Sequence, residues 1–113
     1  MASTPEKLVQ TKIEEYFKQL FLAGHPIEFE RRNASSLSYK EGRPDLWACY
    51  NGIHVEIECK QVTGETRTRQ ELWERRFKRA GAIYIRPRHQ NQVIELFETL
   101  LIPTWGGDQN DQN

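Results

Sequence analysis

The dipeptide Asn51-Gly52 lies between two short apolar-rich runs and constrains the fold of this 113-residue chain more than any other feature. Asn-Gly is the pair that a two-residue β-hairpin turn favours, because both of its central residues take positive φ. A turn at this point predicts antiparallel strands on either side. In that register Leu46 lies opposite Ile57, and Asp45 lies opposite Glu58.

This register divides the predicted hairpin, over about residues 44–60, into two faces because successive side chains of a strand alternate. A slip of one residue would scramble both faces, so the pattern itself supports the register. The apolar face is core material and comprises Leu46, Ala48, Tyr50, Ile53, Val55 and Ile57. The opposite face comprises Asp45, Trp47, Cys49, His54, Glu56 and Glu58, with Lys60 one step beyond.

The carboxylates of Asp45 and Glu58 repel each other if they are directly opposed in a sheet. A proton, a cationic side chain such as Lys60, or a bound metal ion would compensate that repulsion. Two carboxylates and a lysine suit a hard divalent cation, Mg²⁺ or Mn²⁺, with an activated water. The alternative is a sheet surface with ordinary salt bridges, and we expect Glu56 to be a solvent-facing strand residue of that kind.

Length and composition indicate a single domain over residues 1–105, with a polar tail at 106–113 that we expect to be disordered. No apolar run approaches the roughly 20 residues of a membrane span, and the first residues lack an apolar signal-peptide region. Cys49 and Cys59 point to opposite faces of the hairpin, which predicts free thiols. We therefore expect a protein of the reducing cytoplasm with no membrane association.

The remaining chain predicts alternating helices and strands, in an α/β fold on a mixed sheet. Thr68 with Glu71 resembles a capping box, so we expect a helix to start at Thr68 and to bury a stripe from Leu72 to Ala80. A strand, helix and strand at this spacing predict a parallel pair. The predicted elements besides the hairpin are helix 5–22, strand 27–31, a polar loop 33–42, helix 68–80, strand 82–85 and helix 90–102.

Basic residues are concentrated between Arg67 and Arg88, a segment that contains eight basic and two acidic residues, although the whole chain has zero net charge. A local excess of positive charge is typical of a surface that contacts phosphates. The alternative is a solvated helix face.

Two short motifs give the chain a family resemblance. Pro44-Asp45, twelve intervening residues, and Glu58-Cys59-Lys60 resemble the PD-(D/E)xK nuclease signature. From about residue 5 to about residue 101, the order of motifs is similar to that of the VRR-NUC (virus-type replication-repair nuclease) family, and in particular to its small stand-alone phage and bacterial members. Those motifs are Glu6 with Gln10, Gly42-Arg43-Pro44-Asp45, Glu58-Cys59-Lys60, Gly64, Gln70, and Gly81 with Tyr84.

The resemblance implies a restriction-endonuclease-like core, with a central mixed β-sheet flanked by helices, and Mg²⁺-dependent phosphodiester cleavage in which Mn²⁺ can substitute. Asp45, Glu58 and the main-chain carbonyl of Cys59 would bind the metal. Lys60 would orient or deprotonate the attacking water. Glu6, chosen over Glu14 and Glu15 by spacing, would be an outer carboxylate, and Gln70 would border the site. Arg67 departs from the family pattern, which usually has Ser or Thr there.

The resemblance further implies a homodimer that cuts four-way (Holliday) DNA junctions in repair or recombination, in a bacterial cell or a phage-infected host. Candidate interface residues are Trp73, Trp105 and the apolar side chains of the last helix, although we expect each of them to be ordinary core, because amphipathic helices normally bury such residues. Alternatives are an endonuclease for nicked, flapped or duplex DNA, a DNA-binding module that cuts nothing, and a metal-free interaction domain. The residues expected to contact the DNA backbone are Arg43, Arg67, Arg69, Arg75, Lys78, Arg79 and Arg88.

Overall fold

The computed structural model describes residues 5–32, 43–59 and 64–106, and the elements within them follow the predicted order. The predicted loop at 33–42, Lys60, and the tail after Gly106 lie outside the described residues. The elements are α1 (Pro5–Leu22), β1 (Ile27–Arg31), β2 (Leu46–Tyr50), β3 (Ile53–Ile57), α2 (Gly64–Arg79), β4 (Ile83–Ile85), α3 (Gln90–Leu96), a π-helical segment (Phe97–Leu101) and α4 (Ile102–Trp105).

The hairpin has the predicted turn and register. Asn51 and Gly52 have φ values of 52° and 84°, as a type I′ turn requires. Leu46 pairs with Ile57, and the register continues to the turn without a slip.

A four-stranded mixed sheet in the order β1-β2-β3-β4 forms the centre of the α/β fold. The pairs β1–β2 and β2–β3 are antiparallel, and β3–β4 is parallel. The predicted parallel pairing across α2 is therefore confirmed. It brings β4 beside β3, whose end carries Glu58.

The core lies on the apolar face of this sheet, against α1 and the C-terminal helices. The Phe17 and Phe97 rings are 5.0 Å apart between centroids, and Phe97 meets Tyr50 edge-on at 5.7 Å. Burying such rings removes a large apolar area from water. The fully buried apolar side chains of this layer are Ile13, Phe17, Leu46, Ala48, Tyr50, Val55, Ile57, Val93 and Phe97.

Helix α2 differs from its prediction at both its start and its buried face. It begins at Gly64 rather than Thr68, and Arg67 lies within it, 4.0 Å from Glu71. An i,i+4 ion pair of this kind stabilises helical backbone, and here it does so before the helix start that the capping signal indicates. The predicted apolar stripe is only partly buried, because Trp73 and Phe77 are half-buried whereas Leu72 is 45% exposed and Ala80 is exposed.

The second face of the sheet is covered as well, which corrects the expectation for Glu56. The Phe77 ring of α2 stacks on His54 of β3, with centroids 6.1 Å apart. Glu56 is fully buried rather than solvent-facing, because α2 covers the polar face that the strand pattern left open.

No helix in residues 5–32, 43–59 and 64–106 is both long and apolar enough to cross a membrane.

Candidate active site

Asp45 and Glu58 lie together at the end of the hairpin remote from the turn. Asp45 directly precedes β2, and Glu58 directly follows β3. The Oδ2 atom of Asp45 accepts a hydrogen bond of 2.6 Å from the main-chain N–H of Cys59. The N–H of Glu58 donates to the Ile85 carbonyl at 2.9 Å, which ties this residue to β4. The structure thus brings the two predicted metal carboxylates to one place.

The two carboxylates differ in their exposure to water. Glu58 is 2% exposed, whereas Asp45 is half-buried. Withdrawing a carboxylate from water is costly unless opposite charge or hydrogen bonds compensate it. Buried acidic groups in a cluster are therefore typical of functional sites and of ion pairs.

Cys59 separates Glu58 from Lys60, and its thiol is free and buried. Burial, then the charges of Asp45 and Glu58, raise the pKa of this thiol to about 12. A raised pKa favours the protonated thiol, which is the less nucleophilic form. The role of the Cys59 main-chain carbonyl as a metal ligand stays a prediction.

The Arg31 guanidinium of β1 donates two hydrogen bonds to the Glu14 carboxylate of α1. Nη2 donates to Oε1 at 2.5 Å, and Nε donates to Oε2 at 3.1 Å. Both charges act on the Cys59 thiol, Arg31 lowering its pKa and Glu14 raising it, so this pair lies on the side of α1 that faces the site. Glu6 is half-buried in the first turn, seven residues before the buried Ile13 and hence on the same side of the helix. Its role as an outer carboxylate stays a prediction.

Tyr84 of β4 borders the site from the parallel strand, next to Glu56. Its hydroxyl is buried and has no hydrogen-bond partner among the described residues. Burial and, next, the charge of Glu58 raise the pKa of Tyr84. A neutral phenol therefore faces the carboxylate cluster.

Gln70 is 4% exposed on α2, an unusual burial for a polar residue of this helix. It lies in the helix interior, since α2 begins six residues earlier than Gln70. Its burial agrees with a place at the border of the site, which remains a prediction.

Sequence reasoning missed one polar group beside this cluster. Arg32, the residue after β1, contacts the buried Glu56, and His54 contacts the same carboxylate. Strand alternation places Glu56 on the same face as Glu58, and this was the sequence signal that could have identified Glu56 as a neighbour of the cluster. The residue pattern gives no signal for Arg32, because the sequence that follows it carries no regular periodicity.

The basic residues form an exposed surface along α2. The Arg76 guanidinium lies 4.4 Å from the centroid of the Trp73 ring, and Lys78 contacts Glu74 at 2.8 Å. A shallow groove of about 430 Å³ runs along this surface. Its lining residues are Leu72, Arg75, Arg76, Lys78 and Arg79. Arg67, Arg69 and Arg88 are also exposed, and Arg43 is half-buried.

The oxygen atoms at the end of the hairpin remote from the turn are of the type that hard cations bind. Among the described residues, no group of three or more His, Cys, Asp or Glu side chains is arranged to hold a metal ion. Asp45, Glu58 and the Cys59 carbonyl offer oxygen donors, with two carboxylates. Mg²⁺ in proteins usually takes one or two carboxylates and keeps several waters, so a set of this size fits.

Comparison with known proteins agrees with this fold. No family model and no curated protein matches the chain. A solved structure described as a "VRR_NUC domain" is similar to it, with 25% sequence identity and a TM-score of 0.60. The match covers 87% of this chain and 99% of that one.

Proposed function

We propose that this chain, whose fold is similar to that of a solved VRR_NUC domain, is a metal-dependent DNA endonuclease that hydrolyses phosphodiester bonds. The observation that carries the proposal is the juxtaposition of Asp45 and Glu58, with the Asp45 carboxylate held on the Cys59 N–H at 2.6 Å. The buried position of Glu58 supports it, because a low-dielectric site strengthens attraction for a cation.

Asp45, Glu58 and the Cys59 carbonyl would hold Mg²⁺, or Mn²⁺ in its place. When bound, the cation supplies a more acidic water and offsets charge on the phosphate. The hydrogen bond from Cys59 fixes the orientation of the Asp45 carboxylate. Lys60, the next residue, would take the proton of the attacking water or stabilise the phosphate charge. Gln70 and Glu6 would border the substrate.

The proposed substrate is a four-way DNA junction, with a homodimer as the active form. Symmetric cutting of a junction needs two active sites, which two copies of a small domain supply. The exposed arginines along α2 provide charge for contacts to the DNA backbone, which would recognise shape rather than base sequence. Nicked, flapped or duplex DNA is the alternative substrate.

Cleavage of a labelled four-way junction tests this function directly, with linear duplex, flap and single-strand controls. We expect paired symmetric cuts in the presence of Mg²⁺ or Mn²⁺, none with EDTA, and none from Lys60→Ala. Lys12→Ala is the matched control, since Lys12 is an exposed helix residue that pairs only loosely with Glu15, at 3.9 Å. It should cut like the wild type.

The other outcomes separate the alternatives. Metal-dependent cutting of flaps or duplex by the same residues keeps the nuclease and rejects the junction substrate. Tight junction binding by a folded protein without any cutting would establish a DNA-binding module. Neither binding nor cutting would favour an interaction domain.

A dimer predicts a mass in solution of twice the 13.4 kDa chain. Exposed apolar side chains are available for an interface, since Leu22 is 72%, Leu100 56% and Phe21 54% exposed. Trp105, in contrast, packs within its own chain against His25 at 4.6 Å. Light scattering after size exclusion measures the mass, and a monomer at the concentration of the cleavage assay would contradict the symmetric-resolvase proposal.

A further inference from the structure

Arg32 and Glu56 form a forked ion pair beside the candidate metal carboxylates. Nη1 of Arg32 donates to Oε1 of Glu56 at 2.6 Å, and Nη2 donates to Oε2 at 2.9 Å. The Glu56 side chain is 0% exposed and the Arg32 side chain is 18% exposed. Two parallel charge-assisted bonds give the guanidinium one fixed orientation.

The same guanidinium holds the chain segment that carries Asp45. Nη1 of Arg32 also donates to the Pro44 carbonyl at 3.1 Å. The main-chain N–H of Arg32 donates to the Asp45 carbonyl at 2.7 Å. Pro44 is fully buried as well. Arg32 thus holds the backbone carbonyls on both sides of the Asp45 Cα atom.

Aromatic rings enclose the pair and restrict its movement. The Arg32 guanidinium lies 5.7 Å from the centroid of the Phe77 ring of α2. His54 contacts Oε2 of Glu56 at 2.5 Å and stacks between Trp47 and Phe77. Both oxygens of Glu56 therefore have partners, and the guanidinium is held from β3 and α2 together.

Stability alone does not account for this arrangement. Desolvating two charges is costly, and well-packed apolar residues of similar volume are often as stable as a buried pair. What apolar residues cannot supply is a donor for the Pro44 carbonyl. The pair lies between a strand of the hairpin and the segment that presents Asp45, where outer hydrogen bonds orient metal ligands in other proteins.

We propose that Arg32 and Glu56 are positioning residues that hold the Pro44–Asp45 backbone so that Asp45 can share a cation with Glu58. The inference rests on the proposed metal-dependent function. Glu56 orients the guanidinium, and the guanidinium orients the Asp45 segment. Neither side chain contacts the reacting atoms in this account.

Direct Mn²⁺ binding, measured by the loss of the free-ion electron paramagnetic resonance signal, tests the inference on the whole chain. Arg32→Lys keeps the charge but cannot form the fork and the Pro44 bond together. We expect it to fold and to bind Mn²⁺ about 10- to 100-fold more weakly, with cleavage largely restored at saturating metal. Glu56→Gln should show a smaller loss of affinity. Arg86→Lys, in an exposed pair with Glu74, should bind Mn²⁺ like the wild type.

The outcomes distinguish this inference from the proposed function. If the wild type binds Mn²⁺ and cuts DNA, but Arg32→Lys binds the ion equally well, the positioning role is wrong and the nuclease stands. If the wild type neither binds Mn²⁺ nor cuts, both are wrong. Failure of both Arg32→Lys and Glu56→Gln to fold would overturn the inference in favour of a purely structural pair.

Discussion

Glu58→Gln is expected to abolish metal-dependent cleavage while the protein stays folded. The substitution keeps the shape of a side chain that is 2% exposed and removes its negative charge. Losing about 4 kcal/mol of metal-mediated stabilisation of the transition state corresponds to a rate lower by about a thousandfold. The cleavage rate at saturating Mg²⁺ is the measurement.

Thermal unfolding without metal should show no loss of stability in Glu58→Gln, because the amide removes a charge that repels Asp45. Residues kept for function often lower stability in this way. Glu28→Gln is the control, since Glu28 is an exposed carboxylate on β1, and its cleavage rate should equal that of the wild type. Undiminished cutting by Glu58→Gln would show that Glu58 is not a metal ligand.

Arg32→Met is expected to destabilise the fold strongly, which is the second large effect. It leaves the fully buried Glu56 without its guanidinium. Breaking a buried pair by removing one partner costs about 3–5 kcal/mol. In a domain of this size a loss of about 3 kcal/mol lowers the midpoint of thermal unfolding by about 10 °C or more.

A double variant separates the pair from its surroundings. Arg32→Met with Glu56→Leu should recover much of the lost stability, because no uncompensated charge stays buried. Arg86→Met breaks an exposed pair with Glu74 and should cost less than about 1 kcal/mol. Equal, small losses in Arg32→Met and Arg86→Met would contradict the account of a coupled buried pair.

The hairpin and its register were predictable because local chemistry determines them. Asn51 and Gly52 accept the positive φ of the turn, and the period-two pattern then places Leu46 opposite Ile57. Asp45 and Glu58 follow from that register. Their proximity is thus predicted by residues at the other end of the hairpin.

Burial on the second face was not predictable from the strands. Glu56 and His54 have the composition of an exposed strand face, and only the packing of Phe77 from α2 shows that this face is covered. The start of α2 was missed for a related reason. Thr68 and Glu71 carry a capping signal, but Gly64–Arg67 also accepts helical backbone, so the local signals left two helix starts open.

The position of Arg32 depends on tertiary structure alone. Its guanidinium spans from Glu56 in β3 to the Pro44 carbonyl, residues 24 and 12 positions away. No spacing rule links these positions. Sequence reasoning therefore brought together the two carboxylates that we propose to bind metal, and it missed the pair that we propose to position one of them.

A crystal of the protein soaked in Mn²⁺ tests the central claim most directly, through anomalous scattering at the manganese edge. We predict a peak contacted by the carboxylates of Asp45 and Glu58 and by the Cys59 carbonyl, and no peak there in Glu58→Gln. Well-ordered carboxylates without an anomalous peak at saturating Mn²⁺, or a peak only elsewhere, would contradict the metal-dependent nuclease.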